Sequence, residues 1–168
     1  MADKYRVAVV TMSDKGSTGQ RTDESGPLIT SMMEEWGIAE VVETVLIPDD
    51  LEIIKDTLVD LCDNKKVDMV LTTGGTGLSL RDVTPEATLA VAHKNVPGIA
   101  EYMRAKSFEI TPKAMLSRAA SVMRGQTLII NLPGSPKAVR ENLGFILPAL
   151  DHGLEIMTGR GGECGKSK

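Results

Sequence analysis

The chain has 168 residues, 42% apolar and 25% charged, with a net charge of −4 and only 3% aromatics, among them the single Trp36. That length supports one domain with a core large enough to stand without disulfide or metal staples. Few aromatics and a negative balance exclude a base-stacking or phosphate-backbone nucleic-acid surface, but leave a small polyanion open, because glycine loops bind phosphate through local dipoles.

In chain order, "YRVAVVTMS" (Tyr5 to Ser13) predicts a strand rich in β-branched residues, and "SGPLITSMMEEWG" a helix stopped by Gly37. "VVETVLI" (Val41 to Ile47) predicts a second strand. The next helix carries Leu51, Ile54, Leu58 and Leu61 at helical spacing. "DMVLTT" (Asp68 to Thr73) predicts a strand that feeds the glycine-rich "TTGGTGLSLRDVTPEA". A helix "TPEATLAVAHK" follows, with Thr84 expected as its cap and Pro85 in its first turn. Two helical stretches are expected from Gly98 to Arg118, broken at Pro112. "TLIINL" (Thr127 to Leu132) predicts a buried strand, followed by a helix Ser135 to Leu147 and a last helix through "LPALDHGLEIM". From Thr158 the Gly-rich tail is expected to be flexible, leaving a single domain over residues 1–157. Strands alternating with helices predict an α/β fold with a mostly parallel sheet.

Cys62, Cys164, His93 and His152 fall into no zinc, redox or Cys–His spacing. Cys62 lies in a helical pattern and is expected in the core. No segment approaches the roughly 20 apolar residues of a membrane span, and "MADKYRVAVV" carries no cleavage signature. A cytoplasmic location is expected.

Three strand-to-helix junctions carry unusual sequence: "SDKGSTGQRTDESG", the glycine-rich segment, and "NLPGSPKA". In a parallel sheet all three lie beyond the carboxyl ends of the strands, where such sheets bind ligands. Gly74, Gly75 and Gly77 let the backbone approach a ligand with its amides free. The spacing is not the dinucleotide fingerprint, which needs glycine where Leu80 stands, nor a Walker A loop, since no Lys-Ser or Lys-Thr follows. The late "GKS" at Gly165 to Ser167 has Arg160 where that loop needs glycine. A tight turn is the plain alternative for the glycines, and a helix cap the plain alternative for Ser135 beside Gly134 and Pro136.

Asp49 and Asp82 are the acids to weigh. "DDLE" gives Asp49 a capping-box spacing to Glu52, while Asp50 could cap equally and free Asp49 for the crevice. Asp82 could satisfy turn backbone or a ligand. Asp14 reads as a ligand contact or an Asx-turn residue, Glu101 and Arg104 as a surface ion pair, and Arg81 as an exposed arginine within reach of a phosphate. Magnitude favours a cation. Three helix N-termini give an anion at most about 6 kcal/mol, while micromolar binding needs about 8. A carboxylate such as Asp82 could hold Mg²⁺ directly or through water.

"SDKGSTG", "LIPDD", "TTGGTG…RDVTPEAT", "PGIAEYMR", "LSR" and "NLPGSPKA" together resemble the molybdopterin-binding (MogA/MoaB-like) family, from about Tyr5 to Ile156. The resemblance implies a three-layer α/β/α sandwich with a mostly parallel sheet, assembled as a homotrimer. It implies adenylylation of molybdopterin by ATP with Mg²⁺, giving adenylyl-molybdopterin and pyrophosphate for hand-over to a molybdenum-inserting protein. By motif match Asp49 and Asp82 fall on the family's two acids, catalytic and metal-holding. Gly74, Gly75, Thr76 and Gly77 fall on its nucleotide-phosphate loop, and Ser13, Asp14, Gly134 and Ser135 on other crevice positions. A non-catalytic molybdopterin-binding protein of the same fold is the alternative the resemblance leaves open.

Overall fold

Residues that point to opposite sides of the first strand, Val7 and Val9 against Ala8 and Val10, are all buried, so the sheet is covered on both faces. In the computed structural model, which describes residues 3–161, the elements run β1 (Tyr5–Met12), α1 (Asp14–Ser17), α2 (Ser25–Trp36), β2 (Ala39–Ile47), α3 (Leu51–Val59), β3 (Met69–Thr73), α4 (Thr84–Val91), β4 (Lys94–Asn95), α5 (Pro97–Phe108), β5 (Ser121–Arg124), β6 (Thr127–Leu132) and α6 (Pro136–Thr158). A π-helical turn, Asp60–Asn64, extends α3, and a 3₁₀ turn spans Pro112–Leu116.

The sheet order is β2-β1-β3-β6-β5-β4. The pairs β1–β2, β1–β3 and β3–β6 are parallel, while β6–β5 and β5–β4 are antiparallel. On one face Val7, Val9, Met69, Leu71 and Ile130 pack with Ile29 and Met33 of α2, Met103 of α5, and Val139, Leu143 and Leu154 of α6. On the other, Ala8, Val10, Val70 and Ile129 pack with Ile54 and Leu58 of α3 and with Ala87 and Val91 of α4. The expected α/β/α layering with a mostly parallel sheet is therefore present. Cys62 belongs to the second core cluster, as its helical pattern suggests, and burial pushes its thiol up to about 11. Among the described residues no helix is long and apolar enough to cross a membrane.

Four details differ from the sequence reading. The helix after the glycine loop stops at Val91 rather than Lys94, and Lys94 and Asn95 pair with Met123 and Val122. Ala92 already leaves the helix in extended backbone at ψ 136, and the His93 N–H donates to the Met123 carbonyl at 2.9 Å instead of continuing the helical ladder. The antiparallel β5–β6 hairpin turns tightly at Gly125, at φ +56, and β5, with four residues, is too short to show as an alternating run. The stretch after Pro112 forms a single 3₁₀ turn instead of a helix. Finally, the two expected C-terminal helices are one, α6, which runs through Pro148. Leu143, Ile146, Leu150 and Leu154 are buried on both sides of that proline. Each contributes roughly 1.5–3 kcal/mol, which together outweighs the ~3 kcal/mol of an internal proline.

Gly159 ends α6 in the left-handed region at φ 72, and Arg160 reaches back over the Tyr5 ring at 4.7 Å. The rest of the Gly-rich tail, residues 162–168 with Cys164 and the "GKS" tripeptide, lies outside the described residues.

Candidate functional site

Because β1 is followed on one side by β2 and on the other by β3, the chain reverses direction across the sheet between β1 and β3, and the carboxyl ends of the strands open into a crevice there. A cavity of about 470 Å³ occupies it, lined by Met12, Ser13, Asp49, Gly74, Gly75, Asp82, Gly134 and Ser135 together with Thr11, Arg21, Thr22, Asp23, Glu24, Ser25 and Thr73. The structure thus brings together all three junctions singled out in the sequence, and adds a fourth, the Pro48–Asp49 turn after β2.

The two acids reach the crevice by different routes. Asp50, not Asp49, caps α3: its side chain accepts from the Ile53 amide at 3.0 Å. That shifts the helix start by one residue and leaves Glu52 on Lys55 at 3.4 Å, so the capping box is not formed. Asp49 is freed and instead forms a reciprocal pair with Asp14. The Asp14 N–H donates to Asp49 Oδ2 at 3.1 Å, and the Asp49 N–H donates to Asp14 Oδ1 at 3.0 Å. Half-burial pushes the Asp49 carboxyl above its ordinary range, and the charges of Asp14 and Asp82 push the same way. Asp14 is held down in turn by a two-pronged Arg81 contact at 2.9 Å on each oxygen. Asp14 and Arg81 therefore support Asp49 and do not line the crevice.

Asp82 accepts from the Ser79 amide through Oδ2 at 3.0 Å, the turn-satisfying role, with Oδ1 engaged by no described residue. Gly77 is packed against it, since a Cβ there would stand 2.9 Å from Asp82 Oδ2. Gly74 and Gly75 have φ +95 and +70, which only glycine adopts without strain. A Cβ on Gly74 would strike the Met12 carbonyl, and one on Gly75 would strike the Thr84 hydroxyl and approach Asp49 Oδ1 at 3.2 Å. Thr84 is not the cap of α4. Its hydroxyl is buried and donates to the Gly74 carbonyl at 3.0 Å, while its amide donates to the Gly75 carbonyl at 3.2 Å, so it fixes the loop from below.

Thr76 and Gly77 face elsewhere. They line a neighbouring cavity of about 680 Å³ with Arg104, Ser117, Pro133 and Lys137, and Ser135 borders both spaces. Ser13 and Ser135 both cap helices, accepting from Gly16 at 2.9 Å and from Ala138 at 3.2 Å, so at each the structural role is made. The Glu101–Arg104 ion pair is not formed, because Arg104 donates to the Ala119 carbonyl at 2.8 Å.

Several crevice residues escaped the sequence reading. Asp23 accepts from the Thr11 hydroxyl at 2.8 Å and from the Gly26 amide at 3.0 Å. Ser25 donates to the Gly134 carbonyl at 2.8 Å, tying the first junction to the third. The signal was present, since "RTDESG" is a helix-start sequence within a flagged junction.

Among the described residues no three His, Cys, Asp or Glu side chains converge to hold a metal by themselves. Two carboxylates, each with one oxygen unengaged by described residues, suit a hard cation that takes its remaining ligands from water and phosphate, the usual habit of Mg²⁺.

Residues 8–152 match the family described as "Probable molybdopterin binding domain". The chain is 46% identical over 143 residues to a molybdopterin adenylyltransferase of Escherichia coli K12, covering 82% of this chain and 71% of that protein. It is 39% identical over 154 residues to one from Helicobacter pylori J99, covering 91% of this chain and 88% of the relative. Among solved structures, the molybdopterin biosynthesis enzyme MoaB of Thermus thermophilus superposes with a TM-score of 0.85 at 45% identity, covering 92% of this chain and 97% of the other.

Proposed function

The chain belongs to the molybdopterin-binding domain family, and on that premise we propose that it acts in molybdenum cofactor biosynthesis as a molybdopterin adenylyltransferase. The observation that carries the reading is the pair Asp49 and Asp82 set in one crevice beside the bare Gly74–Gly75 backbone.

The substrates in this reading are ATP and molybdopterin, both polyanions. A terminal phosphate oxygen of molybdopterin attacks the α-phosphorus of ATP, and the bond to the β-phosphate oxygen breaks with its electron pair leaving on pyrophosphate. No protein nucleophile is needed, so the protein's task is alignment and charge neutralisation. Gly74 and Gly75 bring backbone close to the nucleotide phosphates, and Ser135 at the start of α6 adds a helix N-terminus. Asp82 and Asp49 would hold Mg²⁺, whose chemistry when bound is to neutralise phosphate charge and keep the leaving group in line. Asp49 also orients molybdopterin, with its position set by Asp14 and Arg81.

Assembly as a homotrimer in the cytoplasm, and hand-over of the product to a molybdenum-inserting protein, belong to the same reading. An apolar groove of about 450 Å³ lined by Ile99, Tyr102, Phe145, Ile156 and Met157 supports association with further copies. Mass spectrometry of the product is the direct test. Adenylyl-molybdopterin from molybdopterin, ATP and Mg²⁺ is expected; tight molybdopterin binding without that product would make this a carrier.

A further inference from the structure

The loop that carries Asp82 is closed by one residue outside the crevice. Arg118, between the 3₁₀ turn and β5, donates from its own amide to the Thr76 carbonyl at 2.9 Å. Its side chain donates from Nε to the Gly77 carbonyl at 2.8 Å and from Nη2 to the Asp82 carbonyl at 2.8 Å. Its Nη1 meets both oxygens of Glu86, in the first turn of α4, at 2.9 and 2.7 Å. One guanidinium therefore ties the beginning of the loop to its end and both to the helix that follows.

Between those anchors the loop is held by the largely exposed Arg81–Asp14 pair and, within itself, by the Asp82 N–H donating to the Ser79 carbonyl at 2.9 Å. Leu78 is 65% exposed and Leu80 is 99% exposed, so no core contact fixes the tip. Among the described residues, the Asp82 carboxylate is held only by the Ser79 amide of the same loop. Arg118 is not among the residues lining either cavity. We propose that Arg118 is a positioning residue for Asp82, acting through the Gly77 and Asp82 carbonyls and not by touching substrate. Lysine keeps the charge but cannot span three acceptors, because the arrangement needs the planar fork.

The inference rests on the adenylyltransferase reading for its effect on rate, but its structural core can be tested without turnover. Hydrogen exchange of the peptide spanning residues 76–83 is compared in the parent, Arg118→Lys and Glu86→Gln. Arg118→Lys is expected to speed exchange of the Ser79 and Asp82 amides by about tenfold or more while β1, β3 and β6 stay protected. Glu86→Gln, which keeps both carbonyl contacts, is expected to give a smaller change in the same direction. In pyrophosphate release, Arg118→Lys should lower kcat by roughly 10²-fold and raise the Mg²⁺ concentration for half-maximal rate, with KM for molybdopterin little changed. Loop exchange equal to the parent's would overturn the proposal, as would faster exchange spread across the whole sheet, which marks a merely structural arginine. A parent that releases no pyrophosphate would sink the adenylyltransferase reading, and the exchange comparison would still decide whether Arg118 holds the loop.

Discussion

Asp14 and Asp49 grip each other backbone to side chain in both directions, at 3.1 and 3.0 Å, so the turn after β1 is tied to the turn after β2. The cost is electrostatic: two carboxylates, with Asp82 nearby, share a half-buried corner, and Asp49 is pushed above its ordinary 3.8. Between the ordinary value and the raised one, the folded protein binds more protons than the unfolded chain. The Asp49 contribution therefore favours folding below that window and is lost as pH rises through it.

Asp49→Asn removes that penalty and keeps an oxygen for the Asp14 amide. The metal-free variant is expected to melt at or above the parent at pH 7, with the advantage vanishing as pH falls towards 3.8. Its turnover should fall about 100-fold or more. Thermal melts across pH, paired with pyrophosphate assays, check both halves.

Arg81→Gln tests the support behind Asp49. The Arg81–Asp14 pair is largely exposed, with side-chain accessibilities of 62% and 41%, so its loss should leave the melting temperature within about 2 °C. Freed of its partner, Asp14 holds Asp49 less firmly, and kcat should drop about tenfold. Unchanged kinetics would show that the reciprocal hydrogen bonds suffice alone.

Gly75→Ala combines a left-handed φ of +70 with a Cβ driven into the Thr84 hydroxyl. A cost of about 1–3 kcal/mol is expected, measured by urea unfolding, with near-complete loss of activity because Asp49 Oδ1 lies on the same side. Gly134→Ala is the contrast. Its Cβ would meet only the Gly74 backbone, Cα at 3.5 Å and N at 4.0 Å, ordinary contact, and stability should change little.

Pro148→Ala restores a backbone donor inside α6 without touching the buried stripe of Leu143, Ile146, Leu150 and Leu154. The variant should unfold at higher denaturant than the parent. Leu150→Ala, by contrast, should cost about 2–5 kcal/mol. A destabilised Pro148→Ala would mean that the proline's bend is itself required for packing.

What could be read from the sequence was local and periodic. β1, β3 and β6 showed as dense apolar runs, and the glycines and acids stood out at the junctions that follow them. The short strands β4 and β5 escaped, because two and four residues are too few to display alternation. Whether Asp49 or Asp50 capped α3 depended on a one-residue choice of helix start. Thr84 had the right type and place for a cap, yet the glycine loop beneath it had unpaired carbonyls and took its hydroxyl. Which side of that loop each residue faces, and that Arg118 closes it across a long sequence gap, follow only from the folded chain.

The most direct measurement is pyrophosphate release by the parent and by Asp82→Asn, each with ATP and Mg²⁺, with and without molybdopterin and with and without chelator. Release from the parent is expected to require both molybdopterin and metal, and a folded Asp82→Asn should be slower by about 100-fold or more. Release by the parent without molybdopterin, or an Asp82→Asn as fast as the parent, would contradict the adenylyltransferase reading.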